Sequence, residues 1–249
     1  MTQSNLSSRN NKLKIIAGST LLLTGMVISV FVYAPLVLAC ALLPFTVRYR
    51  IGRSWVGLVL TMAEKFCGIR YEVDGLEHIN PNRPAVVLSN HQSAWETIAF
   101  RYFLPPQTSL FKQSLLWIPL WGWAMATLKP IAINRDNKHA ALRKLINNGT
   151  EALKQGLWVV VFPEGTRMPV GEIKSFSAGG AMLAQKSGYP VIPIAHNAGI
   201  CWARYSFLKY PGVIKVKIGP YIESQGRKAD AINKEAEQWV INSMQEING

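Results

Sequence analysis

Acidic residues are scarce in this chain. Only 14 Asp and Glu stand against 27 Lys and Arg, so the formal charge of +13 owes more to missing acids than to abundant bases. Such a balance calls for anionic partners: nucleic acid, phosphorylated metabolites or an anionic membrane face. Cysteine is nearly absent too. Cys40, Cys67 and Cys201 are an odd, widely spaced set without C-x-x-C, which fits neither a disulfide framework nor a zinc site and makes reduced surroundings the default. No G-x-S-x-G elbow occurs, so no serine nucleophile is suggested. No ligand cluster has metal-site spacing. What the chain does have is apolar bulk: at 249 residues and 49% hydrophobic, it can bury a sizeable core.

Charge is missing altogether from Ile15 to Val47. As a helix that stretch would be roughly 50 Å long, against about 30 Å for a bilayer core. Pro35 divides it into Ile15–Ala34 and a shorter Leu36–Val47, and basic residues flank it on both sides: Arg9, Lys12 and Lys14, then Arg48, Arg50 and Arg53. The positive-inside rule puts both flanks on the cytoplasmic face. A re-entrant or interfacial helix pair satisfies length, proline and charge together; a single tilted span is the alternative. A cleaved signal segment has an apolar core of about 7–15 residues, far shorter than this. Residues 1–53 are therefore read as a helical membrane anchor and 54–249 as the domain that carries function, at the cytoplasmic face of a bacterial-type inner membrane. An uncharged stretch of this kind, with no recognition module, argues against a nucleic-acid partner.

Beyond the anchor, Trp55, Leu58, Val59, Met62 and Phe66 describe an amphipathic helix that Gly68 closes. Strands are expected at 71–74, 84–90, 157–162, 189–195 and 213–219, with a short apolar segment at 128–135. Helices are expected over 94–103, 139–156, 180–186 and 231–247. Strands alternating with helices give an α/β layer architecture with a largely buried sheet. In such sheets ligands sit beyond the carboxyl ends of the strands, and two charged clusters fall there: His91 after "AVVLSN", and Glu164-Gly165-Thr166-Arg167 after "LWVVVF".

His91 and Glu96 are five residues apart. On one helix they would point about 140° apart, so they meet only if His91 lies in a loop and Glu96 in the first turn of the helix that follows. Ser93 and Glu96 also spell S-x-x-E, a capping box. Capping and catalysis thus require the same geometry here. If the pair is functional, a carboxylate on Nδ1–H fixes the tautomer and leaves Nε2 to take a proton from a hydroxyl. That hydroxyl would belong to the substrate, which favours transfer over hydrolysis. His78, His139 and His196 have no partner at a useful spacing and read as surface or packing residues.

"NHQSAWE" (90–96) followed some 70 residues later by "VFPEGTR" (161–167) resembles the glycerolipid acyltransferase family, and within it the branch acting on 1-acylglycerol 3-phosphate. The usual pattern is N-H-x-x-x-x-D, a segment ending in a short strand and Arg, then F-P-E-G-T-R and an apolar V-P segment. Residues 111–135 and 189–195 stand in the second and fourth places. The resemblance implies a mixed, largely parallel sheet covered by helices, as in glycerol-3-phosphate acyltransferase. It also implies acyl transfer from a thioester, acyl-CoA or acyl carrier protein, to the free sn-2 hydroxyl of a lysophospholipid, giving phosphatidate. No cofactor or metal is expected beyond that co-substrate. Carried over, His91 is the general base and Glu96 its orienting carboxylate. Arg135 and Arg167 hold phosphate, since guanidinium forks suit phosphate oxygens. Lys112 is a further candidate for phosphate or the developing oxyanion. Glu164, with Gly165 and Thr166, orders its loop or binds acceptor hydroxyls. The chain departs from the pattern where Glu96 replaces the commoner Asp and where Ser177 replaces a lysine, for which Lys174 would compensate. The apolar run around Trp117, Trp121 and Trp123 is expected as a membrane-facing lip, an acyl tunnel or plain packing. Two other readings use the same residues: another acceptor, such as glycerol 3-phosphate, a lyso-aminolipid or a different lysophospholipid, or a catalytically silent lipid-binding protein.

Overall fold

A computed structural model describes residues 3–134 and 137–248. Its amino terminus is a helical hairpin, α1 (Gln3–Ala39) followed by α2 (Phe45–Cys67). The expected break at Pro35 is not there. α1 continues through Pro35 to Ala39, and the chain turns at 40–44, with Pro44 leading into α2. An interior proline costs a helix about 3 kcal/mol. Packing offsets it: Ala34 and Val37, on either side, are buried in a small cluster with Ala124. Arg48, Arg50 and Arg53 accordingly lie inside α2, which passes without interruption through positions 53 and 54.

The two helices run antiparallel and touch through small groups. Gly18 lies so close to the Phe66 carbonyl that a Cβ there would stand 2.1 Å from its oxygen, so only glycine permits the approach. Further along, the Trp55 indole donates to Ser29 Oγ at 2.9 Å. The opposite side of α1 is apolar and uncovered, with Leu21, Ile28, Phe31 and Val32 each more than half exposed. The stretch Asn11–Ala39 is long and apolar enough to cross a membrane.

The rest is a three-layer α/β/α domain around a mixed sheet in the order β1-β7-β6-β2-β5-β3-β4. The strands are β1 (Ile69–Asp74), β2 (Val86–Ser89), β3 (Gln107–Lys112), β4 (Ile131–Ile133), β5 (Trp158–Val161), β6 (Val191–His196) and β7 (Gly212–Ile218). Every pairing is parallel except that of β6 with β7. The central strands β2, β5 and β6 are buried at every residue, as strands with helices on both faces must be. Alternate side chains serve opposite cores. Val87, Val160 and Ile192 pack towards α2 and α3 (Trp95–Phe103). Val86, Leu88, Val159 and Val161 pack towards α5 (Lys138–Lys154), α6 (Gly179–Ser187) and α7 (Ala229–Asn248). The remaining helix, α4 (Trp121–Thr127), packs on α1.

The strands and helices expected from the sequence are present, within a few residues at their ends. β3 was not expected. "QTSLFK" follows two prolines and shows no clean alternation, and it becomes a strand because β5 and β4 pair with it from either side.

Candidate active site

Because β2, β3, β4, β5 and β6 are mutually parallel, their carboxyl ends share one edge of the sheet. His91 leaves the end of β2, the Phe162–Arg167 turn leaves β5, Lys112 ends β3 and His196 ends β6. The two motifs, about 70 residues apart in sequence, meet there.

His91 lies in the loop and Glu96 in the first turn of α3, the arrangement their spacing requires. The imidazole Nδ1–H donates to Glu96 Oε1 at 2.7 Å, and the amides of Gln92 and Ser93 donate to the same oxygen at 2.9 and 2.7 Å. Ser93 Oγ accepts from the Trp95 amide at 3.0 Å. Ala94 already has helical dihedrals, φ −83° and ψ −18°, so Ser93 performs the N-cap one residue outside the regular helix. One carboxylate thus closes the capping box and holds the imidazole. Glu96 is fully buried, and burial alone would raise its pKa. Its two imidazole neighbours, His196 and His91, with the hydrogen bonds from His91 and Ser93, outweigh burial and hold it below the ordinary value. Its second oxygen, Oε2, has no partner among the described residues. The Phe162 ring stacks on the imidazole at 4.2 Å and 18°, and His91 Nε2 has no hydrogen-bond partner among the described residues.

The β5 loop fixes the backbone of His91. Glu164 Oε2 accepts the His91 amide at 2.7 Å, and the Met168 amide donates to the His91 carbonyl at 2.7 Å. Gly165 sits at φ +74° in the tight turn that follows, where a side chain would be strained. Glu164 is pushed up to about 7 by burial, which outweighs the hydrogen bonds from the His91 and Lys174 amides; the neighbouring Glu96 charge adds to the rise. Among the roles foreseen for Glu164, ordering the loop matches these contacts.

His196 was passed over because nothing near it in sequence pairs with it. In space it is fully buried, its Nε2 only 3.9 Å from Glu96 Oε1. Only the pairing of β2 with β6 could have revealed this, since that pairing sets the ends of both strands side by side.

His91 and Glu164 border a cavity of about 1090 Å³ that runs along α3 to the inner faces of α1 and α2, a volume at the upper end of ordinary ligand pockets. Away from His91 its walls are mostly apolar, with Leu23, Met26, Trp55, Val56 and Leu128 among them, though Arg101 also lines it. Towards α5 and α6 it is lined by Lys112, Lys138, Arg167 and Lys174, and Glu164 is the one carboxylate among the described lining residues. Arg135 lies outside the described residues. Thr166 does not line the cavity; Gly165 does, as do Lys174 and Ser177. The three tryptophans divide: Trp121 lines the cavity, its ring tilted at 38° to that of Phe111, while Trp117 and Trp123 are 79% and 50% exposed. Among the described residues no three His, Cys, Asp or Glu side chains are grouped to hold a metal ion.

A carboxylate-held imidazole thus stands at the polar end of a largely apolar cavity. The sequence pattern that defines the acyltransferase family matches residues 70–197, and the chain belongs to that family. It is 47% identical over 225 residues to the 1-acyl-sn-glycerol-3-phosphate acyltransferase of Pseudomonas aeruginosa, covering 88% of this chain and 87% of that one. It is 32% identical over 178 residues to the mouse 1-acyl-sn-glycerol-3-phosphate acyltransferase alpha, covering 70% of this chain and 62% of the mouse protein. The fold matches the crystal structure of the 1-acyl-sn-glycerophosphate acyltransferase of Thermotoga maritima with a TM-score of 0.80 at 24% identity, over 97% of this chain and 98% of that one.

Proposed function

We propose that this acyltransferase moves an acyl group from an acyl thioester to the sn-2 hydroxyl of 1-acylglycerol 3-phosphate, yielding phosphatidate for phospholipid synthesis. The observation that carries this reading is the 2.7 Å bond from His91 Nδ1 to the buried, ionised Glu96 at the head of the cavity. With Nδ1–H committed, Nε2 takes the proton of the acceptor hydroxyl as its oxygen attacks the thioester carbonyl. Collapse of the tetrahedral intermediate breaks the carbon–sulfur bond, and the imidazolium returns the proton to the departing thiolate. Glu96 stabilises the imidazolium throughout.

The cations at the cavity mouth support an anionic acceptor and donor. Arg167 and the lysines at 112, 138 and 174 suit the acceptor phosphate, and Arg135 is assigned the same role by its place in the motif. The donor's carrier, coenzyme A or an acyl carrier protein, supplies the thiol, and no further cofactor takes part. Nucleic acid has no role in this reading. The anchor lies in the membrane interface. Its partner α2 carries Arg48, Arg50, Arg53, Glu64 and Lys65 and is unsuited to the hydrocarbon core, so α1 stays with it and lays its uncovered apolar side into lipid. The cytoplasmic leaflet, with its anionic surface, suits the basic flanks.

Membranes containing the full chain, given lysophosphatidate and acyl-CoA, are expected to release free thiol. His91→Ala should lower that rate by about two to four orders of magnitude while the protein stays folded and membrane-bound. Undiminished turnover in this variant would remove His91 as the base. Turnover with glycerol 3-phosphate or another lysolipid in place of lysophosphatidate would reassign the acceptor, and silence with every acceptor and both carriers would leave a lipid-binding protein.

A further inference from the structure

We propose that His196 is a positioning residue for acyl transfer, holding in place the peptide unit from which His91 projects; this rests on the reading of His91 as the base. The Asn90–His91 peptide is gripped at both poles. Its carbonyl, Asn90 O, lies 2.9 Å from His196 Nε2, and its amide, His91 N–H, donates to Glu164 Oε2 at 2.7 Å. The ends of β2 and β6 are further clasped by the Asn90 side chain, which donates to the His196 carbonyl at 2.8 Å and accepts the His196 amide at 3.0 Å.

The tautomer follows from these partners. Nε2 faces a carbonyl and so carries the proton, while Nδ1 accepts the Ala198 amide at 3.3 Å. The ring is neutral in this arrangement, and its complete burial favours that state by pushing the pKa down, against the pull of the Glu96 charge and the bond to Asn90. The Phe100 ring meets it edge-on at 5.9 Å and 80°.

A leucine would fill much of this space without the desolvation cost of an imidazole. What it would not supply is a donor for Asn90 O. Without that donor Asn90 O keeps only the longer bond from Ser89 Oγ, at 3.1 Å, and the 90–91 peptide can swing, carrying the His91 Cα–Cβ bond with it. A displacement of about 1 Å at a reacting group costs on the order of 100-fold in rate.

The test compares His196→Gln, whose side-chain N–H can reach the same carbonyl, with His196→Leu and the ring-shaped His196→Phe, which have no donor. The full chain in membranes is assayed for kcat and KM, and 15N-labelled protein for the His91 Nδ1–H proton shared with Glu96. The donorless variants should lose roughly 10- to 100-fold in kcat, with both KM values within about twofold and the Nδ1–H signal broadened or shifted upfield. Gln should restore both the rate and the signal. Wild-type kcat with an intact Nδ1–H signal in either donorless variant would overturn the proposal. So would equal losses of rate and thermal stability in all three, because His196 would then be packing alone. Full turnover in His91→Ala would instead defeat the assignment of the base, and the NMR signal would still report whether His196 positions that ring.

Discussion

Two parts of one cavity are built by opposite rules. Around His91 the polar groups are buried and closely bonded: Glu96 Oε1 accepts three donors at 2.7 to 2.9 Å, and the loop from β5 grips the His91 backbone at both its amide and its carbonyl. At the mouth, Lys112, Lys138 and Lys174 are exposed and form no ion pair among the described residues. The difference follows from the task. Proton transfer needs atoms set to within tenths of an ångström, and each fixed bond spares reorganisation during reaction. Attracting a phosphate needs only charge of the right sign, and mobile side chains in water supply it at little cost.

If that contrast is right, the largest effect belongs to Glu96. Replacing it with Gln keeps a carbonyl oxygen for the Gln92 and Ser93 amides but removes the charge that stabilises the imidazolium. The expected outcome is a loss in kcat of about two to four orders of magnitude, with only about 1 kcal/mol lost in stability, the usual cost of a weakened cap. Thiol release and thermal unfolding, measured on the same preparations, check both numbers. A variant equally impaired in both, or in stability alone, would make Glu96 a helix cap and nothing more.

That double duty shows how much of the site can be read from a sequence. The spacing of His91, Ser93 and Glu96 demands a loop and a first helical turn, and short-range geometry is legible because it depends on neighbours in the chain. The motif loop at Glu164 could be placed beyond a strand end for the same reason. The contact of Glu164 with the His91 amide was not legible, nor was the clasp of Asn90 on His196, because both depend on which strands lie side by side. Strand order is set by packing among residues far apart in sequence. The hairpin turn was misplaced for a related reason: Pro35 is a strong local breaker, and only the contact of Ala34 and Val37 with α4 explains why the helix passes through it.

Glu164 belongs to the buried part and offers a middle-sized effect. Its folded pKa, about 7, lies above its unfolded value near 4.5. The native state therefore binds more protons than the unfolded state between those values, and stability falls as pH rises through that window. Glu164→Gln does not titrate, so its melting temperature minus that of the parent should increase between pH 5 and pH 8. The loss of a charged acceptor for the His91 amide shifts the variant by an amount that does not vary with pH, so the trend is the informative quantity. A difference that stays flat over this range would mean that Glu164 is ionised throughout and not held up by burial.

The smallest effect is expected at the mouth, where the rules of the buried part should not apply. Lys174→Gln removes one exposed charge of several, in surroundings where a pair contributes up to about 1 kcal/mol. That corresponds to a rise of a few-fold in KM for the anionic acceptor, with kcat unchanged, and it should fade as salt shortens the screening length from about 10 Å at 0.1 M to about 3 Å at 1 M. Lys138→Gln should behave alike, and the two changes together should be nearly additive, because independent charges in solvent are weakly coupled. A loss in kcat from either lysine, or an effect indifferent to salt, would place that side chain against the reacting atoms and erase the distinction between the two parts of the cavity.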